Sequence, residues 1–481
     1  MKRGYSSRLI TKGQMLWLLL DSFLVAISLV FNYRIIQCFT LILWLNMLLY
    51  TLADLKKRSV FFAFLISFFM FLIGRETLEA FNLHTIQYYF PDAINQHAEI
   101  LVFVALCSVS LTYIIFNKYK FTFHGASIRH EITNFDDPYI LTVQSIARVA
   151  FYIAFIFSLY SLYAVVKFVS QHGYVAYYIS YSSNVPLIIR MIGQASEVCF
   201  WVYMATMPPK KKTILPMVLY IIYYITSLGT GKRFAFVASL LSLFVYLNMR
   251  NYVNNKGEVW LSKKIIVTFF LGAPLLMILL NIYNYIRFDE NIANVNAMDM
   301  LTDFIYRQGV SVNVIKRGEV YASSLPRGKF YILGETFETI SNSLFGKLLG
   351  INIDGGNTAG HALNGYSFAH AISYVVIGEG YLMGYGIGSS YIAEAYHDLR
   401  LFGVIIINII YGIIFSKLYQ FKINSIWKTA ISYIILESFL FAPRGSCDGA
   451  LSTLVSFSTW GTLLLLYLIT KYFYEIKSRK I

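Results

Sequence analysis

The sequence predicts an all-α polytopic membrane protein with about twelve transmembrane helices. Three observations predict it. Apolar residues make up 57% of the 481 positions and charged residues only 14%, whereas a soluble domain carries about 25% charged residues and could not hide this much apolar surface from water. The apolar residues run in long blocks and do not form the stripes of amphipathic elements. The segments between the blocks alternate in basic content, as the connections of a multispan protein do. The formal charge of +15 invites a nucleic-acid reading, which the placement of the cations refutes: no nucleic-acid partner is expected.

Dividing the chain at its apolar blocks gives spans near 14–31, 35–53, 59–74, 98–116, 144–166, 186–207, 213–228, 234–248, 265–283, 401–416, 429–443 and 451–470. Several are shorter than the roughly 20 residues of an average span, so their ends are soft by a few residues. Seven short segments on one side carry most of the basic residues, from Lys2, Arg3, Arg8 and Lys12 at the start to Lys471, Lys477, Arg479 and Lys480 at the end. The positive-inside rule places that side, and both termini, in the cytoplasm. The expected organisation is a nine-span bundle over 1–283, a large extracytoplasmic loop over 284–400, and three spans with a cytoplasmic tail over 401–481. The first apolar stretch is long and no small-x-small cleavage site follows it, so a cleaved signal peptide is not expected. Cys38, Cys107 and Cys199 fall in spans and Cys447 in a short outer connection, without a CxxC pair, so cysteine chemistry is not expected. The halves show no sequence repeat, which disfavours an inverted-repeat transporter.

Chemistry is expected in the long loop, because a loop of that length is functional or disordered and this one is rich in aromatic and apolar residues. It carries cations such as Arg307, Lys316 and Arg327, acids such as Asp303, Glu335, Glu379 and Glu394, and the histidines His361, His370 and His397. Its stretch 371–393 is apolar but broken by five glycines and Glu379. Reading it as a span would invert the charge pattern downstream, so a re-entrant or surface-lying segment is expected.

Several nucleotide motifs fail on inspection. Gly384-Tyr-Gly386-Ile-Gly388 lacks a strand-to-helix context, and Gly229-Thr-Gly231-Lys232-Arg233 has Thr226 and Arg233 where a phosphate loop needs glycine and a hydroxyl residue. No HExxH is present, so neither a metal nor a cofactor is expected. Arginines at the outer span ends say more. Arg233 opens a span after a tight turn, Arg287 follows a span, and Arg444 lies in Pro443-Arg444-Gly445. Burying a guanidinium near lipid is expensive unless it meets an anion, and its rigid fork suits a diphosphate. Arg34 and Arg75 are read instead as snorkelling to the headgroups. Arg190 lies inside a span and could pair with Glu197 two turns along.

The segment Gly384-Tyr-Gly386-Ile-Gly388-Ser389-Ser390-Tyr391-Ile392-Ala393-Glu394-Ala395-Tyr396, with Gly403 and the span after it, resembles the Wzy-type O-antigen and capsule polysaccharide polymerases. So do Thr230-Gly231-Lys232-Arg233-Phe234 at a span start, Pro443-Arg444-Gly445-Ser446 before the last span, and the layout of many spans with one large outer loop. Asp398-Leu399-Arg400 departs from the pattern, since many members have a glycine in place of such a charge.

The resemblance implies a metal-independent glycosyltransferase with a C-type fold. It would act on oligosaccharide repeat units carried by undecaprenyl diphosphate at the outer leaflet of the cytoplasmic (inner) membrane. Membrane lipid, a flippase and a chain-length regulator are the further partners implied. Such chemistry needs cations to stabilise the departing diphosphate, for which Arg233, Arg287, Arg307 and Arg444 are the candidates. It also needs a base for the attacking sugar hydroxyl, for which Glu394, His370, His361 and Glu379 are the candidates in falling order. Glu394 leads because Tyr391 and Tyr396 flank it and could stack on a sugar ring; capping of the next helix is its competing role. Two other functions use the same lipid-linked donor: a flippase, which should carry charges in mid-span, and a ligase that moves finished polymer. Charges gathered at outer span ends favour the one-sided site of a polymerase.

Overall fold

In a bilayer no water satisfies backbone N–H and C=O groups, so each spanning segment must pair its own, as a helix does. The computed structural model describes residues 2–28, 33–118, 137–231, 233–253, 258–287, 295–343, 346, 348, 350–351, 353–420 and 425–479, and these contain helices and turns but no strand. Among the described residues nine helices are long and apolar enough to cross a membrane, and a bent pair would make ten. They are Tyr33–Leu52, Leu55–Ala80, Asp92–Asn117, Pro138–His172, Leu187–Ala205, Lys210–Thr230, Phe234–Val253, Lys264–Tyr283 and Tyr391–Leu418; the pair is Gly449–Val455 with Phe457–Ser478, bent by 51°. The other two expected spans are not continuous apolar helices of spanning length. In the first, the apolar part of Lys2–Ser28 is confined to Gly13–Ala26. The other is broken into Ile426–Ile434 and Leu436–Phe441. A π-helical turn at Phe69–Ile73 interrupts Leu55–Ala80, and such turns accompany local re-aiming of side chains.

Aromatic rings fill the bundle: Phe64 lies 4.6 Å from Phe415, Phe61 stacks on Tyr113 at 4.2 Å, and Trp201 stacks on Tyr433 at 4.8 Å. Two contacts need glycine. A Cβ on Gly193 would meet the Ser158 backbone nitrogen at 3.0 Å, and one on Gly412 would meet the Val109 carbonyl at 2.8 Å. Small residues at such crossings let membrane helices approach closely.

Between 295 and 390 the chain folds into short helices at one end of the bundle: Ala297–Gln308, Ser311–Val320, Gly334–Ser341, Ala359–Asn364, Phe368–Ile377 and Glu379–Leu382. Asn296 caps the first by accepting from the Asp299 amide, and Thr358 caps the fourth through the His361 amide. Phe368–Ile377 is ten residues long, with Ala371, Ile372 and Ser373 buried, and it turns at Gly378 (φ 43). The apolar stretch 371–393 therefore packs on protein without crossing the bundle, because a helix this short cannot span the hydrocarbon. Arg400 has φ 53 and ψ −146 inside Tyr391–Gln420, at the point where the sequence divides loop from span. Left-handed backbone at a non-glycine residue is costly, and two contacts surround it here: Glu319 at 3.7 Å and the Tyr396 ring at 5.3 Å.

One reading of a cation is corrected. Arg75 does not snorkel: it is buried, bonds Glu79 at 3.2 Å and the Tyr306 hydroxyl at 2.6 Å, and stacks on the Tyr306 ring at 3.8 Å. A charge inside a bundle is tolerable when paired, and its partner came from residue 306, far along the chain.

Candidate functional site

A cavity of about 880 Å³ lies between Pro138–His172, Leu187–Ala205, Lys210–Ser227 and the helix ends around 434–441 and 452–459. Its wall carries Arg190, Glu197 and Glu437 together with Tyr177, Tyr181, Tyr220, Tyr223 and Tyr224. The Tyr224 hydroxyl donates to Glu437 at 3.5 Å, while Arg190 Nε has no hydrogen-bond partner among the described residues. Concave, largely apolar sites with a few convergent polar groups are where small ligands bind. Arg190 and Glu197, which the sequence left as a pair, both face this space.

Three of the four candidate arginines lie near one rim of the cavity. Phe234 and Phe441 line it and stack on each other at 4.2 Å, and both pack on Phe71. Arg233 precedes Phe234 and donates to the Leu280 carbonyl at 3.3 Å. Arg444 lies over Phe71 at 5.7 Å, interacts with Tyr174, and donates to the Gln308 carbonyl at 3.0 Å. Arg307, one residue before, is held by Asp303 at 2.8 Å and lies over Tyr285 at 5.2 Å. Arg287 ends the helix Lys263–Arg287, and its side chain lies outside the described residues.

Above the cavity the short helices gather a cluster. The helix Gly334–Ser341 joins the cavity wall through Thr339 Oγ1 and Ser452 Oγ at 2.7 Å and through the Thr336 amide on Asp448 at 2.8 Å. From that helix Glu338 accepts from the Tyr366 and Ser367 amides at 2.9 and 2.8 Å. Both its oxygens lie 3.2 Å from His361 Nε2. His361 Nδ1 meets the Gly356 carbonyl at 2.8 Å, and its ring stacks on His370 at 3.8 Å. His370 Nδ1 lies 2.8 Å from the Tyr381 hydroxyl, which also donates to the Thr358 carbonyl at 3.3 Å. Gly356 fits against the chain beside the cavity: a Cβ there would lie 3.1 Å from the Tyr178 carbonyl, between the cavity-lining Tyr177 and Tyr181.

Electrostatics divides these groups. Burial alone would raise the Glu338 carboxyl, but hydrogen bonds from His361 and from two amides outweigh it and hold the group below its usual range. Burial alone would lower His361, yet Glu338 outweighs it and raises the imidazole. Burial, with the charge of His361 beside it, pushes His370 down to about 4. The cluster therefore sets a carboxyl held low and an imidazole held high beside a neutral His370 imidazole. With Tyr381 donating to Thr358, His370 donates from Nδ1 and keeps a lone pair on Nε2.

The remaining candidates lie elsewhere. Glu394 is 2% exposed, with one oxygen accepting from Ser389 at 2.6 Å and the other from the Cys447 amide at 2.7 Å. Tyr391 is fully buried, donates to Asn408 at 2.8 Å and stacks on Tyr411 at 5.1 Å. Tyr396 meets the His97 ring edge-on at 4.6 Å, and Glu379 is exposed at the start of Glu379–Leu382. Glu338 and Tyr381 entered no candidate set as chemical groups. The sequence signal for Glu338 was its spacing of three from Glu335 in Gly-Glu-Thr-Phe-Glu, which puts both carboxyls on one helix face.

No curated protein and no solved structure gives a significant match to this chain. The profile of the family described as O-antigen polysaccharide polymerase Wzy matches residues 14–477, nearly the whole length, and the chain belongs to that family.

Proposed function

We propose that this polymerase transfers a growing saccharide from undecaprenyl diphosphate onto the terminal sugar of a new lipid-linked repeat unit, at the outer face of the bacterial cytoplasmic membrane and without a metal. Joining O-antigen repeat units is the activity of the family to which the chain belongs. The observation that carries the reading is the cavity inside the bundle, with Arg233 and Arg444 near its rim and an acid–imidazole cluster above it. The charge bias of the short connections supports cytoplasmic termini, a 1–283 bundle, an external 284–400 segment and a terminal 401–481 unit.

In the proposed reaction the acceptor hydroxyl oxygen attacks the anomeric carbon of the donor as that carbon's bond to diphosphate breaks. The electron pair leaves with the diphosphate, and the hydroxyl proton passes to the base. Arg444 and Arg233, with Arg307 and Arg287 nearby in the chain, supply the fixed positive charge the leaving group needs, more strongly in a site shielded from water. His370 Nε2 is the proposed base. A conjugate acid near 4 makes it a weak acceptor when the site is empty, and a bound diphosphate raises it by favouring the charged form. His361 and Glu338 orient the His370 ring. Glu394 acts as a positioning residue, tying the start of Tyr391–Gln420 to the turn just after Arg444; Glu379, Tyr391 and Tyr396 have no step in this scheme.

Deletion of the gene, followed by separation of the surface polysaccharide on a gel, tests the reading. Single repeat units still attached to the surface are expected. Complete loss of surface saccharide would point to a flippase, and long unattached polymer to a ligase; either sinks the proposal. At verified membrane levels, Arg444→Ala should reduce polymerisation by about 10²–10³-fold, the scale of losing one preorganised donor. Arg444→Lys should restore little of it, because an ammonium cannot donate two parallel bonds.

A further inference from the structure

The same end of the bundle holds a second, smaller pocket that shares no lining residue with the large cavity. Its volume is about 160 Å³, room for about five waters and the scale of one sugar ring. Gln37, Glu76, Glu79, Tyr88, Tyr89 and Lys316 are among its lining residues. The charged groups balance in number: Glu76, Glu79 and Asp92 stand against Lys316, Arg34 and the adjacent Arg75, with Lys316 meeting Glu76 at 2.8 Å and Arg75 meeting Glu79 at 3.2 Å. Neither a metal cation nor a phosphate is therefore called for.

Gln37 shows what is missing. It is 8% exposed, and its Nε2 donates to Glu76 at 3.0 Å and to Glu99 at 3.3 Å. Glu76, paired with Lys316, accepts from this amide and so fixes its orientation, since the flipped form would set oxygen against oxygen. That leaves Gln37 Oε1, buried and without a hydrogen-bond partner, as a lone acceptor in the pocket wall. An unmet buried acceptor costs free energy, and a ligand hydroxyl would satisfy it. At the mouth Tyr89 is 84% exposed and Tyr88 half exposed, while Asn95 pins the neighbouring Phe90 carbonyl at 3.1 Å. Arg317 lies over the Tyr88 ring at 5.2 Å, so Tyr89 offers the flat aromatic face beside the hydroxyl acceptor, an arrangement that suits a neutral sugar ring.

We infer that this pocket binds one neutral sugar residue of the polysaccharide, away from the bond being made, and so retains the chain between additions. The inference rests on the polymerase reading. A structural link joins the two places: Tyr306, bonded to Glu79 at 2.9 Å, shares the helix Ala297–Gln308 with the Gln308 carbonyl that holds Arg444. A chain held there stays at high effective concentration after each transfer, which favours long products over early release.

The test uses the full chain in detergent, with the host's own polysaccharide cleaved from its lipid so that the diphosphate site contributes nothing. The wild type should bind this probe, and Tyr89→Ala and Tyr88→Ala should weaken binding about fivefold without loss of membrane level. In cells the same variants should shift the surface polysaccharide toward shorter chains while joining still occurs. No binding by the wild type, or unchanged binding by both variants, would overturn the sugar site. Weaker binding with unchanged chain lengths would keep the site and overturn its retaining role. A gene deletion that leaves long chains intact would instead sink the polymerase reading, whatever the tyrosine variants do.

Discussion

Glu338 and His361 form the pair on which the loop cluster depends, and each depends on the other's charge. Removing the carboxylate with Glu338→Ala leaves His361 Nε2 and two buried amides without their acceptor, which should cost about 1–3 kcal/mol, read as a lower melting temperature of the purified protein. The pH dependence follows from the two directions. The Glu338 carboxyl is held down, so its contribution is present above its unfolded value and is lost as pH falls through the lower folded one. The His361 imidazole is raised, so its contribution is complete below its unfolded value and is lost as pH rises through the higher folded one. Thermal stability should therefore decline as pH rises above the unfolded imidazole value of about 6.5 in the wild type, and that decline should vanish in His361→Gln. An identical alkaline decline in both proteins would show that another group titrates. The sequence pointed to His361 and His370 by residue type alone. It could not join them to Glu338, because three separate short helices bring these groups together.

Two kinds of helix carry the architecture, and they differ in what made them legible. Long apolar helices such as Asp92–Asn117 are fixed by composition, since in lipid only a helix satisfies an uninterrupted apolar backbone. Their crossings are fixed by small residues. Replacing Gly412 by valine would drive a side chain into the Val109 carbonyl and Thr112, and a cost of about 1–3 kcal/mol for overpacking is expected. The check is a thermal melt of the variant in detergent against wild type; equal melting would show that Tyr391–Gln420 and Asp92–Lys118 can part without penalty. The short helices of 295–390 carry few such signals. Their caps, Asn296 and Thr358, are ordinary polar residues in sequence and become informative only once their turns are seen. Arg400, at the expected end of the loop, has positive φ inside the helix Tyr391–Gln420.

Across the molecule, the sequence by itself determined a helical membrane protein and the family likeness. Those properties depend on local composition and spacing, which the bilayer reads one segment at a time. It did not determine continuity: among the described residues nine helices reach spanning length where twelve were expected, because the breaks near 435 and 456 depend on packing and not on hydropathy. Nor did it determine partners. Arg75 looked exposed until residue 306 closed over it, and the partners of Glu394, the Ser389 hydroxyl and the Cys447 amide, meet it only in the folded chain. The tertiary structure alone decided which charges meet, because a buried charge persists only beside its partner and that partner can come from any distance along the chain.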